Sequence, residues 1–454
     1  MKPTNHNTQS NNDSTQPSHT SKLSRIGLTL TLTATLFCGL AVSTSAQNSG
    51  VGRIARERGF TIAPDVQTPI VLKTMADAAC DLHAVGTSDT RSMRFYANGE
   101  GYVKIQATAR EGMEGRVQLD CSSNGKAVGY PLHLRASSSP TSDMPAPQSV
   151  VPTPKGSTVR PALTEAQAQS LSDDELMNLG YTERPDVLSS PDQYAKWLDH
   201  VSRPMTVLPQ HLVSTSVTAS PALYTSANWS GLEAHSTTQH KYSAVTATWN
   251  VPLITFADSS GNPTYSAFWV GLDGDHVKGG DLVQAGTEQD AQEIIGLLFT
   301  NYYAWSELLP NQPTEQEVFG VNPGDDIQVE VWIGTGSGAP NPNGGYGSFR
   351  VIDWTQSNES KFYVPLNGTH YNGTEAEWIM ERPTVGGSLP ELAAYGTATM
   401  VNATALQVIG TKWVRCGTAA NRNIRMYNGT DLLSKAIWGG IGSQVVTFDW
   451  HNFH

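Results

Sequence analysis

Two polar side chains about ninety residues apart hold the chemistry that this sequence offers: Gln284, in Leu282-Val283-Gln284-Ala285-Gly286, and Glu377, in Ala376-Glu377-Trp378-Ile379. Each segment reads as a β-strand carrying a polar group where a half-buried strand would carry an apolar one. A carboxylate can take a proton from water, and a carboxamide, with N–H donors and no charge to titrate, can bind an oxyanion. Such a pair would hydrolyse a bond without a serine, a cysteine or a metal. No Gly-x-Ser-x-Gly elbow occurs, and Cys416 has no nucleophile motif around it.

Alternation puts Glu375, Glu377, Ile379 and Glu381 on one face of their strand and Ala376, Trp378 and Met380 on the other. Three acids cannot line a dry core, so that face borders a solvated groove or lies open on the sheet surface. Glu381 shares the face but not the role. At about 3.3 Å per residue it lies roughly 13 Å along the strand, too far to share a water with Gln284.

The elements that must position the pair are short strands. From residue 224 onward they recur at 244–249, 266–272, 294–305, 326–333, 348–354, 361–365, 376–380, 398–401, 407–409 and 444–450, with turn signals between them. Many short antiparallel strands without a credible long helix predict an all-β domain, a sandwich or jelly roll, over 214–454. Alternation at Ser92-Met93-Arg94-Phe95-Tyr96 and at Tyr102-Val103-Lys104-Ile105-Gln106-Ala107 predicts a small β-sandwich within 47–136. Residues 137–160, rich in Ser, Pro and Thr, read as an extended linker. The stretch 161–213 turns helical: Thr164 opens one helix, Ser172 caps another, and Ser190-Pro191-Asp192 begins a third carrying Tyr194, Trp197 and Leu198. This segment is placed to cover the groove as a propeptide.

The N-terminus has Lys22 and Arg25 before an apolar run at 26–42, then Thr44-Ser45-Ala46, which reads as a cleaved export signal over 1–46. The expected location is secreted or periplasmic, with no stable membrane association after cleavage; an uncleaved anchor is the alternative. Cys80 and Cys121 fall in one β-rich segment and are expected to pair, leaving Cys416 free; three buried thiols is the alternative. The sequence has 41 Gly, 26 Pro, 15% charged residues and a formal charge of −12. About 22 acids against about 10 Lys and Arg lie between 214 and 454. That balance argues against nucleic acid or an anionic membrane as partner and suggests tolerance of acid.

In order, Asn228-Trp229-Ser230-Gly231, Phe268-Trp269-Val270-Gly271-Leu272-Asp273-Gly274, the Gln284 segment, Tyr303-Ala304-Trp305-Ser306-Glu307 and the Glu377 segment resemble the glutamic peptidases, the eqolisin family. The resemblance covers roughly half the chain, from 224 to the C-terminus. Residues 184–198 also look like the stretch preceding the catalytic domain in bacterial members. The resemblance implies a bent two-sheet antiparallel β-sandwich whose concave face binds an extended protein or peptide substrate. It implies catalysis by Gln284 and Glu377 under acid, with Trp269, Asp273 and Glu307 supporting the site and Trp229 and Trp305 lining it. It implies no cofactor or metal, and a monomer is expected. Ala285-Gly286-Thr287-Glu288 departs from the family's usual Thr-Gly-Val-Asp, and Ser306 and Leu308 replace the usual aromatics around Glu307.

Rival readings remain. A glycoside hydrolase would pair Glu307 with Glu377, with carboxyls about 5–9.5 Å apart. A lectin-like β-sandwich would bind carbohydrate without cleaving it. Asp273, Asp275 and His276 fit neither a calcium loop nor a zinc set.

Overall fold

In the computed structural model the strands of the C-terminal half stack into two large, mainly antiparallel sheets. The structure describes residues 53–453, apart from 141–142, 156, 173–175, 177–180, 182–183, 185–186, 188–190, 209–226, 258–260, 275–280, 337–339, 386–387 and 408–411. The expected export signal, the cap at Ser172-Asp173-Asp174-Glu175, and Asp275 and His276 fall wholly or partly outside the described residues.

The front sheet runs, edge to edge, through Arg422–Asn428, Trp229–His235, Glu375–Glu381, Thr264–Leu272, Leu282–Ile294, Leu297–Leu309 and Gln312–Gly320. The back sheet runs through Asn358–Pro365, Tyr346–Asp353, Asp326–Gly334, Tyr242–Asn250, Thr397–Gln407, Val446–Trp450 and Asp431–Trp438. Strand Arg422–Asn428 pairs with both sheets and joins them at one side.

Period-two alternation assigns the faces. Phe268, Val270, Trp378 and Met380 of the front sheet pack against Val245, Trp249, Val331, Phe349 and Val351 of the back sheet in one core. The alternate side chains Trp229, Trp269, Leu282, Trp305 and Ile379 form a separate apolar cluster on the front sheet's outer face.

The N-terminal module has its own sheet, with Cys80 and Cys121 in register on neighbouring strands and disulfide-bonded. It is not a detached sandwich. Its strand Tyr102–Thr108 hydrogen-bonds the end of Leu297–Leu309, and Ile294, Leu297 and Phe299 lie in its core. The Ser/Pro/Thr-rich stretch differs from a free linker. Met144 is buried, Gln148 O accepts from Val71 N at 2.8 Å, and Thr158–Arg160 pairs with Met205–Val207. Extended backbone that cannot build a core can still complete a sheet edge.

Helix Glu165–Ser170 starts at a Thr164 capping box closed by Gln167. Helix Pro191–Val201 buries Trp197 and Val201 against Ala168, Leu176 and Tyr181. Contrary to expectation, the described part of this segment does not cover the outer face of the front sheet; it packs on the outer face of the back sheet. Arg160 pairs with Glu359 at 2.7 Å, Lys196 with Asp326 at 2.6 Å, and the His200 ring stacks on Trp354 with centroids 4.3 Å apart. The cause is local: the back sheet's outer face offers buried carboxylates and an indole that match the segment's cations and imidazole.

Candidate active site

Five strands of the front sheet bring five residues into one row. Glu233 is opposite Glu377, Glu377 opposite Gly271, Gly271 opposite Gln284, and Gln284 opposite Glu307. Directly paired residues share a face, so Gln284 and Glu377 project from the same side of the sheet, among the outer-face tryptophans. Two strand spacings, about 9.6 Å, separate their α-carbons, and two long side chains rising from either side can converge on the space between.

Gly271 adds no side chain to that space, which its neighbours already crowd. A β-carbon there would stand 2.9 Å from the Trp269 ring, 3.1 Å from Leu282 Cδ1 and 3.4 Å from Gln284 Cβ. The missing side chain is therefore part of the site, a role that sequence reading did not assign to this glycine.

Gln284 and Glu377 are both buried. Gln284 Nε2 donates to Glu307 Oε2 at 2.7 Å, while Gln284 Oε1 has no hydrogen-bond partner among the described residues. Burial pushes the Glu307 carboxyl up to about 8, against the opposing effect of the Gln284 hydrogen bond. Glu307 therefore carries a proton through the acid range and still fixes the amide beside it.

Glu381 has a task after all. It accepts from Trp269 Nε1 at 2.8 Å and from Asn228 Nδ2 at 3.1 Å, and burial pushes it up to about 7. Trp229 meets Trp269 edge to face, with centroids 5.0 Å apart. Glu381 thus anchors the tryptophan cluster beside Gln284 and Glu377, a role its distance along the strand had hidden. The available signal was register, since Trp269 and Ala267 lie opposite Ile379 and Glu381.

Asp273 works one step removed. Its carboxylate accepts from the backbone N–H groups of Asn372, Gly373 and Thr374 at 2.6, 2.9 and 2.8 Å, clamping the turn that leads into the Glu377 strand. Burial raises its pKa against the pull of those amides. Trp305 lies in the outer-face cluster, and Trp378 is turned into the core with Nε1 on Thr246 O.

Farther along the same face stand Glu288 and Asp290, with Glu315 and Glu317 on the neighbouring hairpin strand. Burial pushes Asp290 and Glu317 up to about 7, and raises Glu288 and Glu315 well above the ordinary range.

The glycosidase pair fares poorly. Glu307 and Glu377 are three strand spacings apart, about 14 Å between α-carbons, with Gln284 standing between them. Glu233, His235 and Glu375 place three possible ligand atoms within 4.8 Å, but the Arg422 guanidinium donates to Glu233 at 2.8 Å. The cluster already holds its cation.

The sequence of this sheet and its surroundings, residues 227–447, matches the Peptidase A4 family. The chain is 28% identical over 184 residues to aspergillopepsin-2 of Aspergillus niger, a match covering 36% of this chain and 60% of that relative. Among solved structures it is similar to a scytalido-glutamic peptidase bound to a peptide-based transition-state analogue, at 18% identity and a TM-score of 0.39, over 50% of this chain and 98% of that one. It is also similar to the aspergilloglutamic peptidase of Aspergillus niger, at 25% identity and a TM-score of 0.33, over 41% and 99%. The matched region thus coincides with the half of the chain that carries the row of Glu233, Glu377, Gly271, Gln284 and Glu307.

Proposed function

We propose that the protein is a secreted, acid-acting endopeptidase in which Glu377 and Gln284 hydrolyse peptide bonds through a water held above Gly271. The observation that carries this reading is the row itself: a carboxylate and a carboxamide on one face, separated by a residue with no side chain. Ionised Glu377 takes a proton from the water, whose oxygen attacks the scissile carbonyl carbon. One Gln284 N–H is held by Glu307, and the other donates to the oxyanion of the tetrahedral intermediate. Glu377, now protonated, returns the proton to the departing amine nitrogen as the carbon–nitrogen bond breaks. A protein or peptide substrate would lie over the outer face of the front sheet, above the buried tryptophan cluster, with its backbone groups toward the sheet's polar row.

Export would rest on the apolar run at 26–42, and residues 161–213 would act as a pro-segment removed under acid. Incubation of the purified protein with a denatured protein substrate across acidic pH, with and without pepstatin, tests the activity. Peptide release that pepstatin does not stop, lost in Glu377→Gln, is the expected result. Hydrolysis undiminished in Glu377→Gln would overturn the dyad. A mature N-terminus that still lies near Gln47 after an acid step would overturn the pro-segment.

A further inference from the structure

The dyad row does not stop at Glu377. On the neighbouring strand Glu233 stands directly opposite it, on the same face, and both side chains are fully buried. Carboxyl-bearing residues paired in this way have β-carbons about 4.5–5.5 Å apart, close enough for each charge to govern the other's ionisation. A guanidinium and an imidazole face Glu233 from beyond. Arg422, paired with it on the edge strand, donates to Glu233 Oε1 at 2.8 Å, and His235 Nδ1 lies 3.7 Å from the same oxygen. His235 Nδ1 also contacts Glu375 Oε1 at 2.8 Å, and Thr374 Oγ1 donates to Glu375 Oε2 at 2.8 Å.

We infer that Glu233 is a positioning residue for Glu377: held as a carboxylate by Arg422, it sets the charge against which Glu377 must ionise, and so places the acid limb of the activity profile. The inference rests on the dyad reading and deepens it. A buried carboxylate beside a second one disfavours the second's charge, and a guanidinium behind the first reduces that penalty without removing it. The other charged or titratable groups around Glu377 are Glu375 and Glu381 on its own strand, His235 beyond Glu233, and Glu307 across Gln284. Glu375 is already engaged by His235 and Thr374, Glu381 by Trp269 and Asn228, and Glu307 by Gln284. Asp273 is turned onto the 372–374 amides. Glu233 is the acid set squarely opposite Glu377 with a permanent cation behind it.

The two ends of this pair give opposite signs. Glu233→Gln removes the neighbouring negative charge and leaves Arg422 nearby, so Glu377 ionises more readily and the acid limb of kcat/KM moves down by about one pH unit. Arg422→Gln leaves the Glu233 charge less compensated, so the limb moves up by a similar amount. Arg422 is a third exposed on an edge strand, so its substitution keeps the inference testable if Glu233→Gln folds poorly. Limbs that stay in place in both variants, or that move in the same direction, overturn the inference. Glu377→Gln is measured alongside: activity surviving it overturns the dyad and this inference with it. An inactive Glu377→Gln with unmoved limbs in the other two variants overturns the role of Glu233 alone.

Discussion

Gly271→Ala is the sharpest test of the proposed site, because it adds one methyl group between Gln284 and Glu377, beside the space proposed for the nucleophilic water. The new β-carbon would lie 2.9 Å from the Trp269 ring and 3.1 Å from Leu282 Cδ1, so one or both must shift by a few tenths of an ångström. Overpacking of this kind costs about 1–3 kcal/mol of stability, which a domain with a core of this size survives. The chemical cost is larger. A methyl group takes up nearly the volume of a water molecule, about 30 Å³, and displacing or misplacing the nucleophile by about 1 Å costs on the order of 10² in rate. Gly271→Ala is therefore expected to lose about 10²-fold or more in kcat with the fold retained, read by peptide hydrolysis at acid pH beside a urea unfolding curve. Gly320→Ala, where the nearest atom to the added carbon is 3.9 Å away, is the control and should keep full activity. A Gly271→Ala enzyme of wild-type kcat would refute the reasoning, since water could not then be bound above that residue.

Gln284→Glu keeps the shape of the side chain but replaces a neutral donor beside Glu307 with a third acid, so hydrolysis should fall by about 10²–10³ while circular dichroism stays native; retained activity would favour a carboxylate-pair mechanism. Cys80→Ser opens a loop of sequence separation 41, and loss of the cross-link should lower stability by about 4 kcal/mol, measured as the urea midpoint in non-reducing buffer. Phe299→Ala empties the core of the N-terminal module from the catalytic side and should cost about 3–5 kcal/mol; a single shared unfolding transition would show that the two modules stand or fall together.

The candidate pair at positions 284 and 377 was picked out by the ordered motifs around it, because the second strand carries three acids on one face and does not by itself single out Glu377. The sandwich was legible from period-two alternation, which needs no tertiary information. What escaped depends on register. That Gly271 lies between the two, that Glu381 reaches Trp269, and that Glu233 stands beside Glu377 all follow from which residue faces which across a strand pair. Alternation fixes the face of a residue but leaves its partner open. The misplaced helical segment has a different cause. Amphipathic helices announce that they need a surface, but which surface depended on Glu359, Asp326 and Trp354, more than a hundred residues downstream. The fused N-terminal module was hidden for the same reason, since Phe299 in isolation reads as a core residue of its own domain.

The acids of the front sheet and His200, on the helix docked against the back sheet, respond to pH in opposite senses. Glu307 is pushed up to about 8, and Asp290, Glu317 and Glu381 to about 7, from ordinary values of 4.5 for Glu and 3.8 for Asp. A carboxyl whose folded value lies above its unfolded value binds more protons in the folded state. Its contribution is present in acid and lost as pH rises from about 4 through 8. His200 behaves otherwise: burial pushes it down to about 4, so the docked segment resists a proton that the released segment accepts. Docking is therefore firm above about 6.5, the ordinary histidine value, and weakens as pH falls toward 4. Between pH 7 and 4 the catalytic sheet should gain stability while the helical segment loses its hold on the back sheet. Urea midpoints rising toward acid, together with faster proteolytic nicking within 161–208, would agree with this. A midpoint higher at pH 8 than at pH 4 would mean that the outer-face carboxylates are better solvated, or better paired, than their burial implies.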